Sequence, residues 1–165
     1  MHHRPSPLRV AGAVVSVALA LVVAGCGSSD GPVEVRAYAV PTAGQAACAS
    51  LVAALPATVA DQPRRATKGS PYAAAWGDRA IVLRCGVGTP KEFDKFSACQ
   101  RTNGVDWFVP DRIINDQRAD VLMTTIGRTP AIEVLVPASY RPSTAAMVDL
   151  GATIKAHTKV TRPCV

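Results

Sequence analysis

Few residues in this chain could carry out a reaction, and only Cys26 has surroundings that define one. It ends the run Val23-Ala24-Gly25-Cys26, where two small residues precede a thiol. Small side chains there suit a peptidase that cuts just before the cysteine. The thiol then accepts a diacylglycerol, and the new amino terminus accepts a further chain such as palmitate. One acyl chain holds marginally, whereas two hold stably. Histidine chemistry rests on His157, because His2 and His3 lie ahead of that cut. A Ser-His-Asp triad or a His-bearing metal site would have to be built on it. At the end of a helix it reads as a surface residue set against the negative helix terminus. No Gly-x-Ser-x-Gly, Gly-x-x-x-x-Gly-Lys or His-Glu-x-x-His string occurs. Gly86-Val87-Gly88 runs into Thr89-Pro90, and the proline stops a helix from opening where a phosphate would sit.

Carboxylates are present without a pattern. Asp111, Asp116 and Asp120 surround Asn115, but the alternating oxygens and bend glycine of a calcium loop are missing. Paired carboxylates for glycoside hydrolysis meet only in three dimensions, and no pair stands out along the chain. Both tryptophans have polar company. Ala75-Trp76-Gly77-Asp78 places one before a turn, and Val105-Asp106-Trp107 places the other on a strand beside an acid. As packing residues they fill the core while the acids cap turns, which is the preferred reading. As a site, Trp76 and Trp107 line a small cleft with Asp78, Arg84, Asp106 and Arg128 on its rim. Such a cleft suits a sugar, a peptide or a lipid headgroup. No metal or cofactor is expected.

Cys48, Cys85, Cys99 and Cys164 remain once Cys26 carries lipid, an even number outside the reducing cytosol. Their spacings are wide and no Cys-x-x-Cys occurs, so disulfides are expected rather than zinc. Three pairings are open, and the sequence does not choose among them. Cys48 falls on a predicted helix and Cys85 at the end of a predicted strand. One pairing therefore staples helix to sheet and leaves Cys99 to hold Cys164 near a chain end that would otherwise fray.

The elements that position these groups follow an export signal. Residues 1–9 are basic through Arg4 and Arg9, and residues 10–25 carry no charge. The run is shorter than the roughly 20 apolar residues that span a bilayer. Residues 1–25 are expected to be a lipoprotein signal peptide, 26–32 a lipidated cysteine with a flexible tether, and 33–165 one domain. Loss of Arg4 and Arg9 takes the formal charge from +6 to +4. That excess suits an anionic membrane surface or an acidic wall polymer. Basic residues do not interleave with aromatics, so nucleic acid is not an expected partner.

Within the domain, Val33, Val35 and Ala37 alternate with Glu34, Arg36 and Tyr38, predicting a strand over 33–40. Cys48, Leu51, Val52 and Leu55 recur at helical spacing, predicting a helix over 44–55 that stops at Pro56. Residues 62–67, 80–83, 105–109, 119–126 and 131–136 read as strands, with Asn103-Gly104 as a turn before the third. Ser143 or Thr144 caps a last helix in which Met147, Leu150 and Ile154 share a face. This order predicts an α+β fold: a mostly antiparallel sheet of about five strands, two helices packed on one face, and disulfide staples.

Several strings carry a resemblance. They are Cys48-Ala-Ser-Leu-Val-Ala-Ala-Leu-Pro56, Arg64-Arg65, Ala74-Ala-Trp-Gly-Asp78, Ile81-Val-Leu-Arg-Cys-Gly-Val87, Asn103-Gly-Val-Asp-Trp107, Thr124-Thr-Ile-Gly-Arg128 and Val134-Leu-Val-Pro137. In this order, over nearly all of 26–165, they resemble the actinobacterial secreted proteins of domain-of-unknown-function family 3515. The resemblance implies an envelope-facing, signal-bearing protein with no assigned activity, and it supplies no catalytic residue. It implies Cys48 with Cys85 as the core pair and Cys99 with Cys164 as an accessory pair. The high alanine content fits a GC-rich actinobacterial source. Two classes of function follow. One is a non-enzymatic lipoprotein on the extracytoplasmic face of the membrane that binds an envelope protein or wall polymer. The other is an exported hydrolase acting on cell-wall polymers through paired carboxylates. The lone histidine and the missing motifs favour the first.

Overall fold

The computed structural model describes residues 1–2 and 31–164. The expected signal segment beyond residue 2, the lipid acceptor Cys26 and the tether up to residue 30 lie outside the described residues. A short strand β1 (Val33–Val35) precedes helix α1 (Thr42–Ala54), and strands β2 (Thr58–Val59), β3 (Gln62–Arg65), β4 (Thr67–Gly69), β5 (Ala73–Trp76) and β6 (Ile81–Val87) follow. The connection 88–99 leads to β7 (Gln100–Thr102), β8 (Val105–Phe108) and the one-turn helix α2 (Asp111–Ile114). Then come β9 (Val121–Thr125), β10 (Arg128–Thr129), β11 (Ala131–Val136), α3 (Thr144–His157) and β12 (Lys159–Val160). Eight strands form one sheet in the order β2-β3-β5-β6-β11-β9-β8-β7, antiparallel throughout. β1 pairs with β4 in parallel and β10 with β12 antiparallel, making two small sheets.

This architecture corrects the expected α+β fold of about five strands. The described chain is mostly β, with an eight-stranded sheet, two small sheets and three short helices. The additional strands are two to four residues long, too short for alternation to show. Ala73–Trp76 is buried at every position, so it lacks the in–out pattern of a half-buried strand, and alanine has little strand propensity. The strand predicted over 33–40 shrinks to 33–35. Beyond it, Tyr38 leaves the strand to lie under Arg84, with the guanidinium 4.3 Å from its ring.

Alternation sorts the two faces of the large sheet. Ile81, Leu83 and Cys85 of β6, Ile132, Val134 and Val136 of β11, and Met123 of β9 are buried on one face. There α1 contributes Cys48 and Leu51, and α3 contributes Met147, Leu150 and Ile154. Burial of each large apolar side chain stabilises by about 1.5–3 kcal/mol, so this layer holds the fold together. Cys48 is bonded to Cys85 (Cα–Cα 5.5 Å), tying α1 to β6, and Cys99 to Cys164 (6.3 Å). These are the pairs that the resemblance implies. Arginines from the strands finish both helices. Arg64 of β3 donates to the carbonyls of Leu55 (3.0 Å) and Val52 (2.8 Å) at the end of α1. At the end of α3, the Thr158 hydroxyl donates to the Ile154 carbonyl and accepts from Arg128 Nη1. A cation there complements the helix's partial negative charge.

The other face carries Val82, Arg84, Glu133, Leu135, Leu122, Thr124 and Phe108, in a register that sets Glu133 beside both Arg84 and Thr124. β6 is central and β7 is an edge, four strand spacings away, or about 19 Å. The connection 88–99 bridges that span over this face, where its Pro90 and Glu92 lie beside Leu122, Thr124 and Glu133.

Candidate functional site

Under that connection lie two depressions that share Glu92, Phe108, Pro110 and Arg112 in their walls. The larger, about 400 Å³, adds Asp94, Phe96 and Asp111. The smaller, about 250 Å³, adds Ile113, Leu122 and Glu133. They form one groove, and its walls are built by local geometry. Arg112 donates to Glu92 from Nε (3.3 Å) and Nη2 (2.9 and 3.2 Å), pinning the connection to α2. Phe93 meets Phe108 edge to face at 5.3 Å. The Asp94 carboxylate accepts from the Phe96 amide (2.8 Å) and the Ser97 hydroxyl (3.1 Å), closing a turn at whose tip Phe96 is 83% exposed. All three phenylalanines of the chain therefore gather here. Leu122, 41% exposed, continues the apolar surface.

Glu133 lies in the wall of the smaller depression, its side chain 20% exposed and accepting from Arg84 Nη1 at 3.0 Å. Behind Arg84, burial pushes the Tyr38 phenol above its ordinary pKa. Its neutral hydroxyl sits 2.9 and 3.0 Å from the Tyr72 and Cys85 carbonyls and donates to them. Lining the groove are four carboxylates, Glu92, Asp94, Asp111 and Glu133, against one guanidinium, Arg112. Apolar walls with carboxylates at the rim and flank suit groups that are both apolar and cationic.

The six residues proposed as a cleft are not brought together. Trp76 and Trp107 are fully buried on the helix-covered face, on β5 and β8, four strand spacings apart. Trp76 Nε1 donates to the Pro56 carbonyl at 3.0 Å, and the Trp107 indole N–H has no partner among the described residues. Asp78 is in the turn after β5, where its carbonyl and that of Gly77 accept from Arg65 (both 3.2 Å). Asp106 is chelated by Arg101 Nε and Nη2 and accepts the Cys164 amide. Those Arg101 hydrogen bonds hold its carboxyl below the ordinary aspartate pKa. Arg128 is buried against Thr158 and the Gly104 carbonyl. Of the six, Arg84 alone meets the groove, through Glu133.

His157 Nδ1 lies 3.1 Å from the Ser50 hydroxyl and ties α3 to α1. A triad needs a carboxylate on the other ring nitrogen, and Asp149, on the same helix, lies eight residues away, about 12 Å along its axis. Among the described residues no group of three or more His, Cys, Asp or Glu side chains could hold a metal, and no helix is long and apolar enough to cross a membrane. Glu92, Asp94, Phe96 and Arg112 carry no motif, so sequence reasoning passed over them. The usable signal was Phe93 and Phe96 together in a segment without periodicity.

Fold and groove define a disulfide-stapled, mostly antiparallel β domain with an acidic, apolar groove beneath a long connection. The chain belongs to the family described as Protein of unknown function (DUF3515), whose model matches residues 10–162. Comparison with curated proteins and with solved structures finds no match.

Proposed function

We propose that this chain is an exported lipoprotein of the actinobacterial type, held on the extracytoplasmic face of the membrane by acyl chains on Cys26. In this reading residues 1–25 are the signal, 26–32 the lipidated tether and 33–165 a single domain that binds an envelope component. The observation that carries the binding role is the groove, where Phe96 and Leu122 stay exposed among carboxylates. Exposed apolar surface of this kind costs solubility unless a partner uses it. Support for export comes from Val23-Ala24-Gly25-Cys26 after a basic and then uncharged run, and from two disulfides, which persist in oxidising compartments. Glu92 and Glu133 are each committed to an arginine and Asp94 to its own turn. Those commitments suit binding rather than proton transfer, which wants a carboxyl aimed at substrate.

Two experiments test the reading. A photo-crosslinking residue placed at Phe96 or Leu122 in cells making the full chain is expected to capture an envelope component. The same probe at Val148, exposed on α3, is expected not to. Equal capture at all three positions, or none in the groove, removes the groove as a binding site. An alkynyl fatty acid is expected to label the wild type and not Cys26→Ala; label retained by the variant rules out the anchor.

A further inference from the structure

We infer that the groove takes a basic, amphipathic polypeptide segment, its cationic side chains against Glu133, Glu92 and Asp111 and its apolar ones against Phe96, Phe108 and Leu122. This rests on reading the groove as the binding site. The charge argument is local. Without Arg4 and Arg9 of the signal the chain carries a formal charge of +4, yet its groove is lined by four carboxylates against Arg112 and, behind Glu133, Arg84, an acidic excess of two. The groove's sign is therefore opposite to that of the molecule, and it selects a cationic partner while the remaining surface repels one.

Shape narrows the partner further. In the smaller depression Pro90, Pro110, Ile113 and Leu122 present apolar walls around one largely buried carboxylate, Glu133. A lysine or arginine matches this, with an apolar stem for the walls and a charged head for the acid, which Arg84 engages at Oε1. The larger depression continues past the Glu92–Arg112 pair to Phe96, so several side chains in a row are accommodated rather than one. Glycan stacking would rest chiefly on Phe96, since both tryptophans are fully buried. Polyanions are disfavoured by the carboxylates.

The test uses the full chain in nanodiscs of zwitterionic lipid and three synthetic peptides of equal length, alternating Lys–Leu, Gln–Leu and Glu–Leu. Methyl signals of Leu122 and Ile113 are expected to move with Lys–Leu and not with Glu–Leu, while those of core Ile154 stay still. Affinity is expected to fall with salt and by about tenfold or more in Glu133→Gln. Because Glu133→Gln also strips Arg84 of its partner, the exposed Glu92→Gln and Asp111→Asn pair is measured beside it and is expected to weaken binding too. Equal affinity for Lys–Leu and Glu–Leu, or undiminished Lys–Leu binding in both variants, overturns the basic partner. If Lys–Leu fails to bind while crosslinks still form at Leu122, the partner's chemistry is wrong and the groove stands. If neither occurs, both readings fall.

Discussion

The Asp106 carboxylate accepts from Arg101 Nε at 2.6 Å, Arg101 Nη2 at 3.0 Å and the Cys164 amide at 3.1 Å. It thus holds together an edge strand, β8 and the C-terminal segment. The Arg101 hydrogen bonds outweigh burial, and the carboxyl titrates below its ordinary value. A carboxylate with a lowered folded pKa contributes stability above its unfolded pKa of about 3.9 and loses that contribution as pH falls through the folded value. Asp106→Asn is therefore expected to melt below wild type from pH 7 to about pH 5, with the gap closing progressively below about pH 4. Thermal melts across that range check it, and a gap independent of pH would show that the Arg101 pairing does nothing for stability. The same residue shows what a sequence conceals. Asp106 beside Trp107 reads first as packing with a capping acid and only second as a cleft edge; strand alternation sends the two to opposite faces, and which face a helix covers is not written in the local string. Glycines were more legible in kind than in consequence. At Gly86, inside β6 with φ +82°, a Cβ would meet Val40 Cγ1 at 2.6 Å, so this glycine of the Gly86-Val87-Gly88 run is the slot into which Val40 packs.

Among the elements, helices and long strands could be read because their periods extend over several turns or pleats. The predicted helix over 44–55 is Thr42–Ala54, and the Met147, Leu150 and Ile154 stripe lies in Thr144–His157. β6, β9 and β11 fall within or around the predicted apolar runs. What could not be read is the β6–β11 pairing at the centre of the sheet, since nothing local specifies a partner so far along the chain. That pairing sends the connection 88–99 across the open face and makes the groove. The Cys99–Cys164 bridge anchors the end of the connection and spans a sequence separation of 65. Replacing both residues by alanine is expected to destabilise by about 2–4 kcal/mol. The loss should be uneven. The helix-covered layer keeps Cys48–Cys85, so amide exchange should quicken in 88–99 and the C-terminal segment while Leu83 and Val134 stay protected. Uniform acceleration across the sheet would mean that the bridge supports the whole fold rather than the groove wall.

At the scale of the whole molecule, Gly31, where the described chain begins again, and the groove lie toward opposite edges of the sheet. Arg65 of β3 donates to the Gly31 carbonyl at 2.6 Å, fixing the described end of the expected tether one strand from the β2 edge. The groove lies over β11, β9 and β8, three to five strand spacings farther along, or about 15–24 Å. From Cys26 to Gly31 a fully extended backbone reaches at most about 18 Å. With acyl chains at Cys26, the β2–β3 edge is then kept within that reach of the lipid, and the groove edge is free to face outward. Under that anchor, the geometry would keep a cationic partner in the groove away from an anionic bilayer that would compete for it. Nitroxide-headgroup lipids in nanodiscs broaden amide signals according to proximity. Broadening is expected to be strong at Arg65 and Asp78 and weak at Phe96 and Leu122. Inserting Gly-Ser repeats after Cys26 should flatten that gradient by lengthening the reach, whereas disruption of Arg65–Gly31 alone should flatten it less. A reversed gradient would place the groove against the membrane and make the lipid surface, rather than an envelope polypeptide, its neighbour.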